Sequence, residues 1–578
     1  MTEDGLTPSD LLQRWAKVLD QDKCIGCHAC TTACKSENEV PLGVTRTYVK
    51  SAEVGSFPQV RRAFQVTRCN QCADAPCTTA CPTQAMYRRP DGIIDFDKSV
   101  CIGCKACIAA CPYDAIFINP EDNSAEKCNL CAHRLDVGLE PACVTVCPTE
   151  AILVGDLNDP QSKVAQIVSR EAVTVRRPEK GTRPGLFYKG AHQATLDPLA
   201  ARQPDGGLYA WATQGGEHDP GHVASGHPGQ PSSSAEALLS YDISHHAPWG
   251  WRVSLYTWTK GLAAGGLLVP LLLILAGQLS WGSPLARWAA PGMALAFLAA
   301  TGVPLVWDLR HPWRFYLIFT RHHWRSWLVR GSFIIGGYGA ALALYATGSL
   351  AGSVVLRQVA AVLVIPLALA TACYTAYLFA QARARDLWQS PLLAPHLAVR
   401  AVLAGAAGIL PFALWLGPAP AVTGAEVLLA AAAGAHVLLA AGEITVTHPA
   451  EHAHLAAAAM TRGRFARYFW PGLAAVAAAI AAPWIGVAAV PLALLGLLAC
   501  WPAGLRACLR AGRPVRPAGV RSCHVPSCRH SRRRPPGPGR AGRACLGGPG
   551  RGRGPRRDVL PGRQPDLPGR IPAERTVG

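Results

Sequence analysis

Lysine is absent from the last 78 of the 578 residues, where 18 arginines stand against three acidic residues. This stretch carries +15 of the formal net charge of +19, so the other 500 residues carry only +4. The same stretch lacks apolar periodicity and contains 14 glycines and 13 prolines, a composition that cannot form a core. With this tail set aside, no broad basic surface for nucleic acid is left.

A secretory signal does not precede the cysteines, which disfavours a disulfide scaffold. Sixteen of the 22 cysteines nevertheless lie between Cys24 and Cys147, in four groups of four. The groups are Cys24-x2-Cys27-x2-Cys30-x3-Cys34, Cys69-x2-Cys72-x4-Cys77-x3-Cys81, Cys101-x2-Cys104-x2-Cys107-x3-Cys111 and Cys128-x2-Cys131-x11-Cys143-x3-Cys147. Zinc also favours paired C-x2-C motifs, but zinc sites seldom place four cysteines within eleven residues.

This spacing is typical of [4Fe–4S] clusters, each of which takes four thiolates. A tight C-x2-C-x2-C turn surrounds one cluster, and the fourth cysteine begins a helix that leads to a neighbouring cluster. Such motifs work in pairs. The sequence therefore predicts four [4Fe–4S] clusters in an α+β fold of two ferredoxin-like units, each holding two clusters.

Apolar runs long enough to cross a bilayer dominate residues 253–500. We expect an all-α transmembrane bundle of about eight helices, near 254–278, 288–307, 327–348, 354–380, 396–416, 424–442, 467–485 and 487–507. The predicted domains are a four-cluster domain (1–200), a flexible Gly/Pro/Ser/His-rich linker (201–245), the transmembrane domain (246–507) and a disordered tail (508–578). The Arg/Gly/Pro composition of this tail favours translation in a wrong reading frame over an RNA-binding segment.

Polar residues beside or within apolar spans point to function, because they are costly to place there. Lys260 lies in the first predicted helix, Asp308 and Arg310 end the second, and His436 lies in the middle of the sixth. A lone histidine of this kind can simply satisfy a neighbouring helix. The polar residues at 443–454, together with Asp308 and His311, predict a polar site near the membrane surface.

Residues 23–158 resemble the four-cluster iron–sulfur subunit of dimethyl sulfoxide and polysulfide reductases, through CIGCHACTTACKSEN, TRCNQCADAPCTTACPTQAM, CIGCKACIAACPYDAI and EKCNLCAHRLDVGLEPACVTVCPTEAILVGDLNDP. Residues 246–500 resemble the NrfD/polysulfide-reductase membrane anchor, through HAPWGWRVSLYTWTKGLAAG, VWDLRHPWRFY and THPAEHAHLAAAAMTRGRFARYFW. In such complexes the two parts are usually separate polypeptides, so this chain resembles a fusion of the two.

The resemblance implies how the cysteines are shared. Cys24, Cys27 and Cys30 would bind one cluster with Cys147, and Cys128, Cys131 and Cys143 another with Cys34. Cys69, Cys72 and Cys77 would join Cys111, while Cys101, Cys104 and Cys107 would join Cys81. The third group keeps all four cysteines, where some relatives carry a tryptophan and a three-iron cluster. The resemblance also implies a separate molybdopterin-containing catalytic subunit, since nothing in this chain resembles that large domain.

We therefore expect an electron-transfer and membrane-anchor subunit, without its own molybdopterin site, that links a catalytic partner to membrane quinone. The quinone reaction needs proton-exchanging groups beside the nearest cluster. The candidates are His246, Trp249, Lys260, Asp308, His311 and Tyr377. Two rival interpretations are a redox-gated ion transporter, for which the spans hold few charges, and a nucleic-acid-binding protein that uses the arginine-rich tail. Sixteen ligands exceed what a structural role requires, and no nucleic-acid partner is expected.

Basic residues concentrate in the loops after predicted helices two, four and six, while the opposite loops are poor in charge. Because basic loops prefer the cytoplasmic side, the sequence predicts a multi-pass protein of the inner membrane with a cytoplasmic iron–sulfur domain. A twin-arginine signal on the partner could carry the domain outward, and the basic loops could instead contact the iron–sulfur domain.

Anaerobically purified protein is expected to contain about 16 iron and about 16 acid-labile sulfide ions per chain, because four clusters account for every grouped cysteine. Iron, sulfide and zinc analysis checks this. The variant Cys104→Ser should lose or convert one cluster and keep the others. Stoichiometric zinc without sulfide would contradict the prediction.

Overall fold

A computed structural model describes residues 13–55, 57–197, 200–202, 237–243, 248–448, 450–463 and 465–510, the last ten of these by their backbone. Most of the predicted linker, His246 and the predicted tail beyond residue 510 lie outside these ranges.

The described residues up to 243, called the soluble part below, contain two four-stranded sheets and two hairpins. The sheet orders are β8-β1-β10-β9 and β11-β12-β2-β3, and the hairpins are β4-β5 and β6-β7. The strands are β1 (Trp15–Asp20), β2 (Thr47–Val54), β3 (Arg61–Arg68), β4 (Met86–Arg88), β5 (Ile94–Phe96), β6 (Phe117–Ile118), β7 (Ala125–Glu126), β8 (Ile152–Asp156), β9 (Val173–Thr174), β10 (Leu186–Lys189), β11 (Ala201–Arg202) and β12 (Ala237–Tyr241). The mixed α+β architecture agrees with the predicted fold.

Seven short helices lie among the described residues of the soluble part, and the first five of them carry or directly follow cysteines of the four groups. They are α1 (Ala29–Glu37), α2 (Pro76–Ala80), α3 (Ala106–Ala110), α4 (Ala132–Leu135), α5 (Ala142–Thr145), α6 (Lys163–Arg170) and α7 (Gln193–Leu196). The C-I-G-C turns before α1 and α3 use left-handed backbone at Gly26 (φ +69°) and Gly103 (φ +67°), a conformation that favours glycine. These turns wrap three cysteines around one centre.

Two antiparallel strand pairs bring the cysteine groups together. β1 precedes the first group and β8 follows the fourth, and they pair with Leu19 opposite Ile152. In the same way β4 follows the second group and β5 precedes the third, with Met86 opposite Phe96. The first group therefore meets the fourth, and the second meets the third.

Within the described residues, seven helical stretches are long and apolar enough to cross a membrane. They are α8 (Trp251–Leu275), the stretch Leu285–Trp307 that includes α9 (Ala290–Trp307), α11 (Trp327–Leu350), α12 (Val354–Ala380), α13 (Leu393–Leu416), α14 (Ala419–Thr445) and the stretch Ala466–Cys500. The short helices α10 (Leu317–Thr320) and α15 (Glu451–Thr461) lie between these stretches.

The last stretch covers the predicted seventh and eighth helices. It is broken into α16 (Ala466–Ala478), α17 (Ala482–Ile485) and α18 (Ala489–Arg510), with 3-10 turns between them. The arms α16 and α18 pack antiparallel, because Gly472 approaches Cys500 while Gly496 approaches Val476. Two antiparallel helices therefore lie where the seventh and eighth of about eight helices were predicted, and together they form the seventh membrane stretch among the described residues.

Helices α8 and α13 approach each other through glycine at the centre of the bundle. A Cβ atom on Gly405 would lie 2.4 Å from the carbonyl carbon and oxygen of Gly265, so neither position has room for a side chain. Close backbone approach of this kind is how membrane helices gain packing energy without a hydrophobic driving force.

Gly405→Ala is expected to destabilise the membrane bundle by about 1–3 kcal/mol, because the two helices must move apart to admit the methyl group. The matched control is Gly434→Ala in α14, where a Cβ atom would meet no heavy atom within 4 Å. Thermal unfolding of the purified protein in detergent measures both variants. Equal midpoints would contradict the packing described.

Candidate iron–sulfur and quinone sites

The sixteen grouped cysteines are all free thiols and converge in sets of four. Cys24, Cys27, Cys30 and Cys147, the outer set, line one cavity. Cys81, Cys101, Cys104 and Cys107, the membrane set, line a second cavity. Each cavity therefore gathers three cysteines of one group and the last cysteine of its partner group.

The remaining eight thiols lie beside one another in two further sets. In the inner set, burial raises the pKa of Cys34 to about 12, and the nearby thiols of Cys128, Cys143 and Cys131 contribute. In the middle set, burial raises the pKa of Cys111 to about 12, and the thiols of Cys77 and Cys69 contribute. Cys72 belongs to this set, because after burial its pKa is raised by Cys69, Cys111 and Cys77.

The four sets follow one another in a line. Burial raises the pKa of Cys30, and the nearby thiol of Cys143 adds to this rise, which places the outer set beside the inner set. Cys128 acts in the same way on Cys69, and Cys77 on Cys107. The order is therefore outer, inner, middle and membrane set, which is the arrangement that a chain of electron carriers requires.

The surroundings of the inner set fit an anionic group held by thiolates. Arg68 Nη1 donates to Cys143 Sγ at 2.9 Å, while Arg68 Nε and Nη2 are buried without a partner among the described residues. Burial by itself would raise the pKa of Cys143, but Arg68 and Lys17 outweigh it and lower this pKa to about 6. Buried donors left over beside thiolates suit the inorganic sulfides of an iron–sulfur cluster.

The membrane set lies directly against the membrane part of the chain. The backbone amides of Arg310 and His311 donate to Gly103 O (3.4 Å) and Ile102 O (3.2 Å). A Cβ atom on Gly103 would lie 2.3 Å from Arg310 Cβ, so the turn has no room for any larger residue. Lys105 Nζ pairs with Asp308 Oδ2 at 2.9 Å, which neutralises both charges at this contact.

The preceding helix α2 makes a second contact beside the membrane set. His323 N donates to Pro82 O at 3.1 Å, and His323 Nδ1 lies 3.0 Å from Cys81 O. Ser326 Oγ donates to Ala80 O at 2.9 Å. His323 and Ser326 lie just before α11. The loop between the second and third membrane stretches therefore contacts both cysteine groups that contribute to the membrane set.

Aromatic rings continue from the membrane set into the membrane part. Trp249 Nε1 donates to Cys104 O at 3.2 Å. Its ring lies 5.8 Å from Phe379 and 5.9 Å from Trp388, and the latter two stack at 4.6 Å. A cluster in the membrane set would therefore be separated from the apolar bundle by a short aromatic layer.

The structure brings together three of the six predicted quinone residues. Trp249, Asp308 and His311 all contact the turn that carries Cys104. Lys260 lies about 13 Å further along α8, counted from Trp251 at the helical rise. Tyr377 is half-exposed and stacks on Trp327 at 4.5 Å. His246 lies outside the described residues, and quinone binding by all six stays a prediction.

The sequence-based prediction did not include several polar residues that contact Lys260 and His436. Lys260 is fully buried and donates to Ala372 O at 3.2 Å and to Thr375 Oγ1, with Tyr374 beneath its ammonium. His396 joins His436 (Nε2 to Nδ1, 2.8 Å) and Glu443 (Nδ1 to Oε1, 2.8 Å). The isolated positions of His396 and Thr375 in apolar sequence were the signals that could have found them.

The residues at 443–454 do not form one site with Asp308 and His311. Glu443 binds His396, while Asp308 pairs with Lys105. His452 instead faces a charged contact between the soluble part and the loop after α12, where Lys180 pairs with Asp386 and Arg383 donates to Lys180 O. The predicted polar site is therefore divided among separate contacts.

Three family models match the chain. A 4Fe-4S binding domain covers residues 15–36, a 4Fe-4S dicluster domain covers 60–157, and the family described as polysulphide reductase, NrfD, covers 241–494. These matches agree with the division into an iron–sulfur part and a membrane part.

Curated relatives match the iron–sulfur part. The matching subunit of tetrathionate reductase from Salmonella typhimurium is 44% identical over 194 residues, 33% of this chain and 77% of that protein. The matching polypeptide of polysulfide reductase from Wolinella succinogenes is 41% identical over 180 residues, 31% of this chain and 94% of that protein. The arsenate respiratory reductase iron–sulfur subunit ArrB of Shewanella sp. is 36% identical over 223 residues, 30% of this chain and 95% of that protein.

Acidification is expected to weaken the contact around His452. Burial, followed by the guanidinium of Arg177, lowers the pKa of His452 from 6.5 to about 3. Between these two values the unfolded state binds more protons than the native state, so this contribution to stability falls as pH falls and is fully present above pH 6.5.

His452→Gln removes this titration, so it should lose less thermal stability than the parent protein between about pH 7.5 and about pH 5. The matched control is His454→Gln, because the side chain of His454 is 64% exposed. Unfolding midpoints at the two pH values measure the difference. A loss of the same size in the parent and both variants would contradict the assignment.

Proposed function

We propose that this chain links a molybdopterin-containing catalytic subunit to membrane quinone. The chain belongs to the family of iron–sulfur subunits of the tetrathionate and polysulfide reductase type, and it continues into an NrfD membrane domain. Electron transfer and membrane anchoring are the functions of this family. The proposal adds that four [4Fe–4S] clusters, one in each cysteine set, make up the relay.

The contact between the membrane set and the membrane part carries the proposal. Cys104 O accepts from Trp249, and the neighbouring Lys105 pairs with Asp308. A carrier at this point lies against the aromatic layer of the bundle, so electrons have a direct route between the relay and a lipid-soluble molecule. Iron–sulfur clusters supply the one-electron steps, and the protein supplies position and electrostatic environment.

Quinone reduction also consumes protons, which side chains beside the membrane set must supply. Asp308 and His311 stand at this edge, and Trp249 forms one wall. We propose that these three line the quinone site. Lys260 and Tyr377 are proposed for deeper and more lipid-exposed parts of it, and His246 completes the set proposed from the sequence.

The catalytic subunit is proposed to bind at the outer set. Cys27 is exposed there, and the adjacent Ile25 is 59% exposed, so this end of the line is accessible to a partner. Electrons would then enter or leave at the outer set and at the membrane set, with the inner and middle sets between them.

We propose that the iron–sulfur part lies on the cytoplasmic side of the inner membrane. Some of the basic residues behind this orientation also hold the iron–sulfur part in place: Arg314 Nη1 donates to Lys98 O and Cys101 O, and Arg383 Nη1 to Lys180 O. The proposed orientation rests on the concentration of basic residues in the loops on one side of the membrane, among them Arg321, Arg325 and Arg462.

Cys104→Ser is expected to abolish rapid reoxidation of the dithionite-reduced protein by a soluble quinone, because it disables the carrier beside the membrane part. Stopped-flow absorbance measures the reaction with the full chain. Reoxidation by ferricyanide, which can reach the exposed outer set, should persist in the same variant. The matched control is Cys500→Ser, which changes a thiol in α18 that donates to Phe469 O and should react with quinone as the parent does. Normal quinone-driven reoxidation of Cys104→Ser would overturn the proposed route.

A further inference from the structure

We infer that Lys17 and Arg68 raise the reduction potential of a cluster bound by the inner set, Cys34, Cys128, Cys131 and Cys143. This inference rests on the proposed function, because it takes each cysteine set to hold a cluster. It identifies two residues outside the cysteine motifs that tune one member of the relay.

The two cations converge on one ligand sulfur. Arg68 Nη1 lies 2.9 Å from Cys143 Sγ, and Lys17 Nζ lies 3.3 Å from the same atom. Lys17 and Arg68 are each 1% exposed, and Cys143 is 4% exposed, so water does not screen these charges. Lys17 comes from β1 and Arg68 from the end of β3, so separate strands direct both side chains at one thiol.

Amide donors add to this environment. Asn38 Nδ2 lies 3.8 Å from Cys34 Sγ and 3.6 Å from Cys131 Sγ, which are two more ligands of the inner set. Arg68 also keeps two buried donor groups without a partner among the described residues.

The other sets lack such contacts within the described part of the chain. In the membrane set, Cys81 and Cys101 accept from the backbone amides of Met86 and Ala125, each at 3.4 Å. The nearby Lys105 is engaged by Asp308. Near the middle set, the buried cation Lys127 donates to the carbonyl oxygens of Ile94 and Cys128 and not to a sulfur.

Reduction adds one electron, and therefore one negative charge, to a cluster without forming or breaking a bond. Buried cations and hydrogen bonds to sulfur stabilise that charge strongly in a low-dielectric interior, so they raise the reduction potential. One electron arrives from a neighbouring set and later leaves for the other neighbour. A cluster in the inner set would therefore accept an electron more readily than it would without the two cations.

Arg68→Gln and Lys17→Gln should each shift one cluster signal to a more negative midpoint potential, and the double variant should shift it further. Redox titration of the purified full chain, monitored by electron paramagnetic resonance, measures the shift. The signal that moves should be the one that Cys34→Ser removes. Arg68→Lys keeps the charge and should restore most of the potential.

Lys35→Gln is the matched control. Lys35 follows Cys34 directly, yet its Nζ donates to Pro41 O at 3.0 Å and Val44 O at 2.5 Å and not to a sulfur. Lys35→Gln should therefore leave the midpoint potential of the same signal nearly unchanged.

Four results would overturn the inference. The first is an unchanged potential in Arg68→Gln and Lys17→Gln with full iron content, and the second is an equal shift in Lys35→Gln. The third is a shift only in the signal that Cys104→Ser removes. The fourth is loss of the cluster in both Gln variants, which would assign the cations to cluster assembly. The titration uses no quinone, so failure of the quinone route leaves its result intact. Fewer than four cluster signals in the parent protein would instead contradict the proposed function.

Discussion

Antiparallel pairing of β1 with β8 and of β4 with β5 is the constraint on which the iron–sulfur part depends. In each pair, one strand precedes a cysteine group and the other strand follows the partner group. The pairing therefore brings the last cysteine of the partner group to the cavity that the first group lines. Cys147 thereby meets Cys24, and Cys81 meets Cys101. Without these pairings, four separate turns would each lack a fourth ligand.

The same arrangement explains how the two parts of the chain fit together. The C-I-G-C turn at Cys101 projects its carbonyl groups outward, because its sulfurs face the cavity. Those carbonyl groups accept hydrogen bonds from Arg310 and His311, and the missing side chain of Gly103 allows the close approach. One turn therefore serves both as ligand loop and as docking surface, which places the membrane set next to the bundle.

Cations of the iron–sulfur part differ in the partner that they meet. Lys105 has the carboxylate of Asp308, and Arg46 has that of Glu126, so these cations are neutralised locally. Lys17 and Arg68 are directed at the sulfur of Cys143 instead. A paired charge fixes geometry with little net field, whereas a charge aimed at a thiolate acts on whatever that thiolate binds.

The sequence by itself determined the local features: the cysteine turns, whose spacing sets which three sulfurs share a cavity, and the apolar stretches, whose length sets where helices cross. It could not show that Arg68 and Lys17 meet Cys143, that His396 joins His436, or that the last two predicted helices form one folded stretch. These outcomes depend on contacts between residues far apart in the chain, and local composition carries no record of such distances. Only the tertiary structure decided them, because strand pairing and helix packing set which buried charges face one another.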